Sequence, residues 1–162
     1  MARSINARIH STWQRLHRLP GGKWLFSRLL GWMVPYSGSI HCYVQELSPG
    51  LAVITLQDRR RVRNHLGSVH AIALANLGEL TTGLATLVSM PEQTRGILRG
   101  LEVSYEKKAR GRLTCTAKSE LEPPSENIEH RVRAEIRNAD DDLVTVVTAV
   151  WIVGPERSPS AK

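Results

Sequence analysis

Hydrophobic positions in residues 4–19 recur at helical spacing as Ile5, Ile9, Trp13, Leu16 and Leu19, with Arg8, Arg15 and Arg18 between them. The spacing predicts an amphipathic helix, ended by Pro20-Gly21-Gly22. A second helix is predicted over 22–33, carrying Trp24, Leu25, Phe26, Leu29, Leu30, Trp32 and Met33. It stops before Pro35, because a residue preceding proline disfavours the α region. Residues 38–47 then set Ile40, Cys42 and Val44 on one face of a strand, and Ser48-Pro49-Gly50 turns into a hairpin partner at 50–57. Asp58-Arg59-Arg60-Arg61 is a polar loop. Residues 68–88 predict one long helix with Ser68 as its N-cap and Pro91 beyond its end. Its Val69, Ile72, Ala73, Leu74, Leu77, Leu80, Leu84 and Leu87 leave little polar face.

The last third alternates with a period of two, the mark of a sheet with one buried and one wet face. Leu101, Val103 and Tyr105 alternate with polar or small residues in 97–107, Leu113, Cys115 and Ala117 in 111–119, and Val132, Ala134 and Ile136 in 130–137. Residues 143–153 are apolar on both faces, as a central strand would be. The Pro/Ser-rich stretch after Gly154 predicts a disordered tail. The order is two helices, two strands, one long helix and four strands. A helix apolar nearly all round must be wrapped by the sheet, which makes the class α+β with the hotdog architecture, a curled antiparallel sheet around one long helix. The expected organisation is basic amphipathic helices at 1–34, the hotdog domain at 35–154 and the tail at 155–162.

Charge changes this picture only at the N-terminus. Of 22 basic residues, residues 1–30 hold Arg3, Arg8, Arg15, Arg18, Lys23 and Arg28 and no acid, leaving 16 basic against 15 acidic over the rest. The body is close to neutral and aromatics are 5% of the chain, which excludes a nucleic-acid interface of the usual basic, base-stacking kind. Residues 4–33 suit either packing over the open side of the sheet or peripheral contact with an anionic membrane. No apolar run reaches the roughly 18 residues of a bilayer span and no secretory signal pattern is seen, so the expected location is cytoplasmic, with membrane association as an addition. Cys42 and Cys115 lack metal-type spacing and read as free thiols inside strands. The six histidines show no metal-ligand pattern, and there is neither a phosphate loop nor a nucleophile elbow.

The candidate chemistry lies in Asn64-His65-Leu66-Gly67-Ser68-Val69-His70-Ala71 and in Glu79. A carboxylate midway along an apolar helix is costly to bury unless paired or working. Asn76 at i−3 is neutral, and no cation stands at i±3 or i±4. The structural alternative turns Glu79 to solvent or to a partner's arginine. His70, near a helix start, is read as a packing or capping residue or as part of a site. Lys107, Lys108, Arg110 and Arg112 form a basic turn, either a solvated hairpin or a clamp for phosphates.

The segment resembles the hotdog thioesterases of the phenylacetate-pathway type, whose central helix opens with Asn-x-x-x-x-x-His-Gly-Gly and carries an acid nine residues after the His. Asn64, His70 and Glu79 fit both spacings. The flanking text, Pro35-Tyr36, Arg63 to Gly67, and Tyr105 to Gly111, is similar to the DUF4442 group of the same superfamily, over about residues 35–153. The resemblance implies hydrolysis of an acyl-CoA or acyl-carrier-protein thioester, with no cofactor beyond the coenzyme A of the substrate. It assigns catalytic roles to three residues: the Ala71 backbone N–H polarises the carbonyl, Glu79 is general base or nucleophile, and Asn64 orients the carbonyl or a water. His70, Gly67, Lys107, Lys108 and Arg110 become substrate-binding residues. Free N–H groups and the positive dipole end at a helix start suit the first role. Two departures stand out: Ala71-Ile72 replaces the family's Gly-Gly, and the family's hydroxyl at the start of the third strand has no counterpart among Ile97, Leu98 and Arg99. A non-catalytic acyl-thioester or lipid-binding protein is the alternative.

Ala71 and Glu79 are eight residues apart, roughly 12 Å along a helix. One carbonyl cannot lie within about 3 Å of both, so two protomers must share each site. The expected assembly is a homodimer or a dimer of dimers.

Overall fold

A computed structural model describes residues 5–91 and 93–156. Helices α1 (Ile5–Leu16), α2 (Gly22–Met33) and α3 (Pro35–Gly38) lead into strands β1 (Tyr43–Ser48) and β2 (Leu51–Gln57); a 3-10 turn (Arg60–Val62) and the long helix α4 (Ala71–Ser89) follow, and then β3 (Thr94–Tyr105), β4 (Arg112–Lys118), β5 (Ile128–Arg137) and β6 (Leu143–Pro155). The six strands form one antiparallel sheet in the order β1-β2-β4-β5-β6-β3. α4 touches every one of them. The molecule has the hotdog fold, as the alternation and the apolar helix require.

Strand periodicity translates directly into the core. Ala52, Ile54 and Leu56 of β2, Leu113, Cys115 and Ala117 of β4, and Val132, Ala134 and Ile136 of β5 are all buried under α4. β6 lies between β5 and β3 and is largely buried on both faces, which accounts for its unbroken apolar text. α4 sits close to β6 because of Gly78: a Cβ there would stand 2.3 Å from Val147 Cγ2. An alanine at that position would cost about 1–3 kcal/mol in overpacking. The buried hydroxyls of α4 bond back along the helix, Thr81 to the Leu77 carbonyl (2.6 Å) and Thr86 to that of Thr82 (2.8 Å), so no bare polar group faces the sheet there.

The N-terminal helices share this core. Ile9 and Trp13 of α1 and Phe26 and Leu30 of α2 are buried in the same cluster as the strands, and Trp13 meets Phe26 edge-on, ring centroids 5.0 Å apart. α1 lies against α2 and α4, and α2 against β1. α2 nevertheless keeps a second apolar face in solvent, formed by Leu25, Leu29 and Trp32.

Several expectations need correction. Strand structure does not begin at 38: Pro35 at the first helical position presets φ for the extra turn α3, and β1 starts at Tyr43. A bulge between Val44 and Glu46 then brings Val44 and Leu47 inward together. β3 opens at Thr94, earlier than 97, and so does begin on a hydroxyl residue. Ser68 does not cap α4. Its hydroxyl donates to Asn64 Oδ1 (3.2 Å) and Val69 bridges to Arg63, so the helix starts at Ala71 with His70 as cap. By length and mean hydropathy α4 would pass as a membrane span, against expectation, but its surface is mostly buried within the fold. The expected tail overlaps the structure only at Pro155, the last residue of β6, and Glu156; its residues 157–162 lie outside the described residues, as does Arg3 of the basic segment.

Candidate active site

The approach to α4 is built by Asn64. Its Oδ1 accepts from the Leu66 N–H (2.9 Å), the Ser68 N–H (3.2 Å) and the Ser68 hydroxyl (3.2 Å). The turn places Gly67 in the left-handed region, φ 67, where glycine carries no Cβ penalty. Asn64 thus organises its own loop through its oxygen, while its amide nitrogen has no partner among the described residues. The chain leaves this turn along the basic hairpin, the Val69 N–H donating to the Ala109 carbonyl (2.8 Å) and the His70 N–H to that of Val62 (2.7 Å).

At the helix start the donors are nearly all taken. The Ile72 N–H donates to His70 Nδ1 (3.1 Å), and the N–H groups of Ala73 and Leu74 donate to the His70 carbonyl (2.9 and 3.1 Å). His70 is therefore a capping residue, one of the two roles open to it from the sequence. The Ala71 N–H alone in this first turn has no acceptor among the described residues. Four N–H groups at a helix start lack intrahelical partners by construction, and the cap leaves free the one at Ala71. The Ala71 carbonyl accepts from the Tyr105 hydroxyl (3.0 Å), which anchors this turn to the end of β3. In the sequence Tyr105 counts as a strand residue and as part of the text shared with the DUF4442 group, without a role of its own; an aromatic hydroxyl closing a strand beside a basic turn was the available signal. Ile72, the next residue, is 55% exposed, its side chain outside the core.

Glu79 is half-buried two turns on. Its carboxylate has no hydrogen bond or ion pair among the described residues, and burial alone pushes its pKa above the ordinary carboxylate value. Asn76 does not serve it: its Nδ2 donates to the Tyr36 carbonyl (3.4 Å). Ile72, Ala75 and Glu79, spaced i, i+3 and i+7, are the stretch of α4 least covered by the fold. Next to it runs β3, an edge of the sheet. Ala71 and Glu79 thus lie on one helix, too far apart to meet at one atom.

The basic turn is divided. Lys107 is paired with Asp142 (2.7 Å), whereas Lys108 and Arg110 are exposed without an ion pair among the described residues. Asp58, overlooked as part of a polar loop, accepts from Arg63 Nε (2.6 Å) and from the Gly111 N–H (3.1 Å) and so ties the turn to the approach of α4. The Arg63 hydrogen bond first, aided by the Gly111 N–H and the charges of Arg63 and Arg110, holds the Asp58 pKa below its usual value. Both cysteines are free thiols, pushed up by burial to about 11 for Cys42 and about 12 for Cys115. No group of three or more metal-ligating side chains occurs among the described residues.

The family model for a domain of unknown function, DUF4442, matches residues 22–153. The chain belongs to the DUF4442 family. No curated protein matches it. Among solved structures, a structural-genomics target shares 32% identity and superposes with a TM-score of 0.79, over 94% of this chain and 99% of that one. A probable thioesterase of Pseudomonas aeruginosa follows the same fold at 18% identity and a TM-score of 0.73, covering 85% and 97% of the two chains. A thioesterase of Haemophilus influenzae does so at 13% and 0.66, covering 78% and 87%. These last two likenesses carry the fold.

Proposed function

We propose that the protein is a thioesterase that hydrolyses an acyl-CoA or acyl-carrier-protein thioester at sites shared between two protomers. The observation that carries this reading is the Ala71 N–H at the start of α4, without an acceptor among the described residues, in a helix whose one carboxylate, Glu79, is half-buried and unpaired among them. The Ala71 N–H and the helix dipole stabilise the oxyanion that develops on the thioester carbonyl. Glu79 of the other protomer takes a proton from water as the water oxygen bonds to the carbonyl carbon. The C–S bond then breaks, and the thiolate leaves with that proton. Direct attack by a Glu79 oxygen, through an anhydride that water opens, gives the same products. A raised carboxyl pKa suits a general base, whose best value lies near the working pH.

Assembly follows from the same geometry. The long edge β3 and the weakly covered stripe Ile72, Ala75 and Glu79 form the face of a homodimer, or of one dimer within a pair of dimers, and bring Glu79 to the partner's Ala71. Lys108 and Arg110, free of ion pairs among the described residues, receive the phosphates of coenzyme A; His70 and Gly67 shape the approach, and the Asn64 amide nitrogen faces substrate or water. The alternative, a non-catalytic acyl-thioester or lipid binder, is favoured by Ala71-Ile72 in place of Gly-Gly, with the bulky Ile72 side chain exposed next in sequence to the free N–H. The protein is cytoplasmic in this reading, with peripheral attachment to anionic membranes through α2. Thiol release from the purified protein, screened over acyl-CoA chain lengths, tests the activity: turnover at one range of lengths supports the enzyme, and binding without release leaves the binder.

A further inference from the structure

A cavity of about 600 Å³ opens between α2, α3 and β1 with Leu80 of α4 in its wall; neither Ala71 nor Glu79 lines it. That volume is in the range of small-molecule sites, about 300–1,000 Å³. Its charge is one-sided: Arg28, Arg59, Arg61 and His41 line it, and no carboxylate does. None of the three arginines has an ion-pair partner among the described residues. Arg59 is fixed by its Nη2, which donates to the carbonyls of Ile40 and His41, yet its Nε is buried without a partner. A guanidinium has donors and no acceptor, so only an acceptor can satisfy that nitrogen.

His41 adds a further donor. Arg28 Nη1 lies 3.0 Å from His41 Nδ1; because arginine can only donate, Nδ1 accepts, and the imidazole proton resides on Nε2. Partial burial first, then the charges of Arg59, Arg28 and Arg61, keep this ring below its ordinary pKa. The backbone of His41 has φ 46, a region that disfavours non-glycine residues.

Much of the rest of the wall is apolar, with Ser27, Ser37 and Tyr43 the other polar side chains. Leu30 and Leu80 are buried at the floor, with Val34 beside them, while Trp24 and Trp32 stand exposed at the mouth. Ser27 is spent on structure, donating to the Lys23 carbonyl (2.8 Å) and accepting from the Val44 N–H (2.9 Å). Few groups remain to read a nucleobase, and many to hold an alkyl chain.

We propose that this cavity is a second binding site, for a single-chain amphiphile with an acidic head, the head held by Arg28, Arg59 and Arg61 and the chain lying on Leu30, Val34 and Leu80. The site is independent of the thioesterase reading. Isothermal titration of the full-length protein with decanoate, decyl phosphate and neutral decanol tests it and tells a carboxylate from a phosphate source. Each binding anion should bind once per chain and at least about tenfold more tightly than decanol, the worth of one charge-assisted contact. Arg61→Gln should weaken that anion by about the same factor; Arg61 makes no hydrogen bond among the described residues, so the variant folds. Glu79→Gln should bind as the parent does. Equal affinity for decanol, an unchanged Arg61→Gln protein, loss of binding in Glu79→Gln, or free coenzyme A binding more tightly than either anion would each overturn the assignment.

Discussion

The Tyr105 hydroxyl donates to the Ala71 carbonyl across 3.0 Å, joining the last residue of β3 to the first residue of α4. Ala71 also offers the free N–H, on the adjoining peptide plane, so this bond anchors the residue on which the proposed oxyanion contact depends. Tyr105→Phe removes one partly exposed hydrogen bond and should lower stability by about 0.5–1 kcal/mol. If the bond positions the donor, thiol release should fall more than that loss explains, in kcat rather than KM. Kinetics beside a denaturant titration check both.

Asn64 separates a structural from a chemical role. Its Oδ1 serves three donors of its own turn, and Asn64→Ala should cost about 1–2 kcal/mol by leaving them unsatisfied. Asn64→Asp keeps an acceptor and removes the amide donor. The Asp variant should stay close to the parent in melting temperature and lose turnover; full turnover would confine Asn64 to the loop.

The sheet and α4 were legible because a period of two and an apolar helix of 19 residues survive any detail of packing. Glu79 stands out in the sequence as the one carboxylate of an apolar helix, and Ala71 only through the resemblance that Asn64, His70 and Glu79 carry. What was hidden depends on contacts distant in sequence or on very short elements. α3 spans four residues, too few for a periodic signal. Ser68 looked like an N-cap until the Asn64 side chain competed for its groups. Arg28, His41 and Arg59 come from α2, the link after α3 and the loop after β2, and only the tertiary fold gathers them. In sequence they read as surface charge.

The edge strand β3 should mediate a homodimer. Ile97 on β3 is 58% exposed, and a charge on an edge strand opposes pairing with another chain. Light scattering at micromolar concentration should give a dimer or tetramer for the parent and a monomer for Ile97→Lys, with thiol release lost together with assembly. A monomeric, active parent would remove the shared-site mechanism.

α2 is apolar on two sides: Phe26 and Leu30 face the core, while Leu25, Leu29 and Trp32 face out, Trp32 at 81% exposure. Arg15, Arg18 and Arg28 are exposed as well, a charge complementary to an anionic bilayer. Co-sedimentation should favour anionic over neutral vesicles, and Trp32→Ser should weaken it by about tenfold. Its stability should stay within about 0.5 kcal/mol of the parent, as for most surface changes. Equal sedimentation with neutral vesicles would remove the electrostatic part of the contact, and no sedimentation with either would point to a protein partner for this face.

Glu79→Gln tests the enzyme reading most directly, because activity and stability respond in different ways. The amide keeps the shape but cannot accept a proton, and general-base assistance is worth about 10²–10⁴ in rate, so turnover should fall by at least that range. Burial raises the folded pKa of Glu79 above its ordinary value. The folded state therefore holds the proton more tightly than the unfolded one, and stability declines as pH rises from the unfolded pKa through the folded one. An amide escapes this loss. The melting temperature of Glu79→Gln relative to the parent should rise as pH climbs from about 4, the ordinary carboxylate value, through the raised folded pKa and then level off. A cation pairing with Glu79 across the dimer would reverse that trend, since its removal leaves a buried charge alone. Melting curves of both proteins over that pH range, read beside thiol release, distinguish a working carboxylate from a structural one.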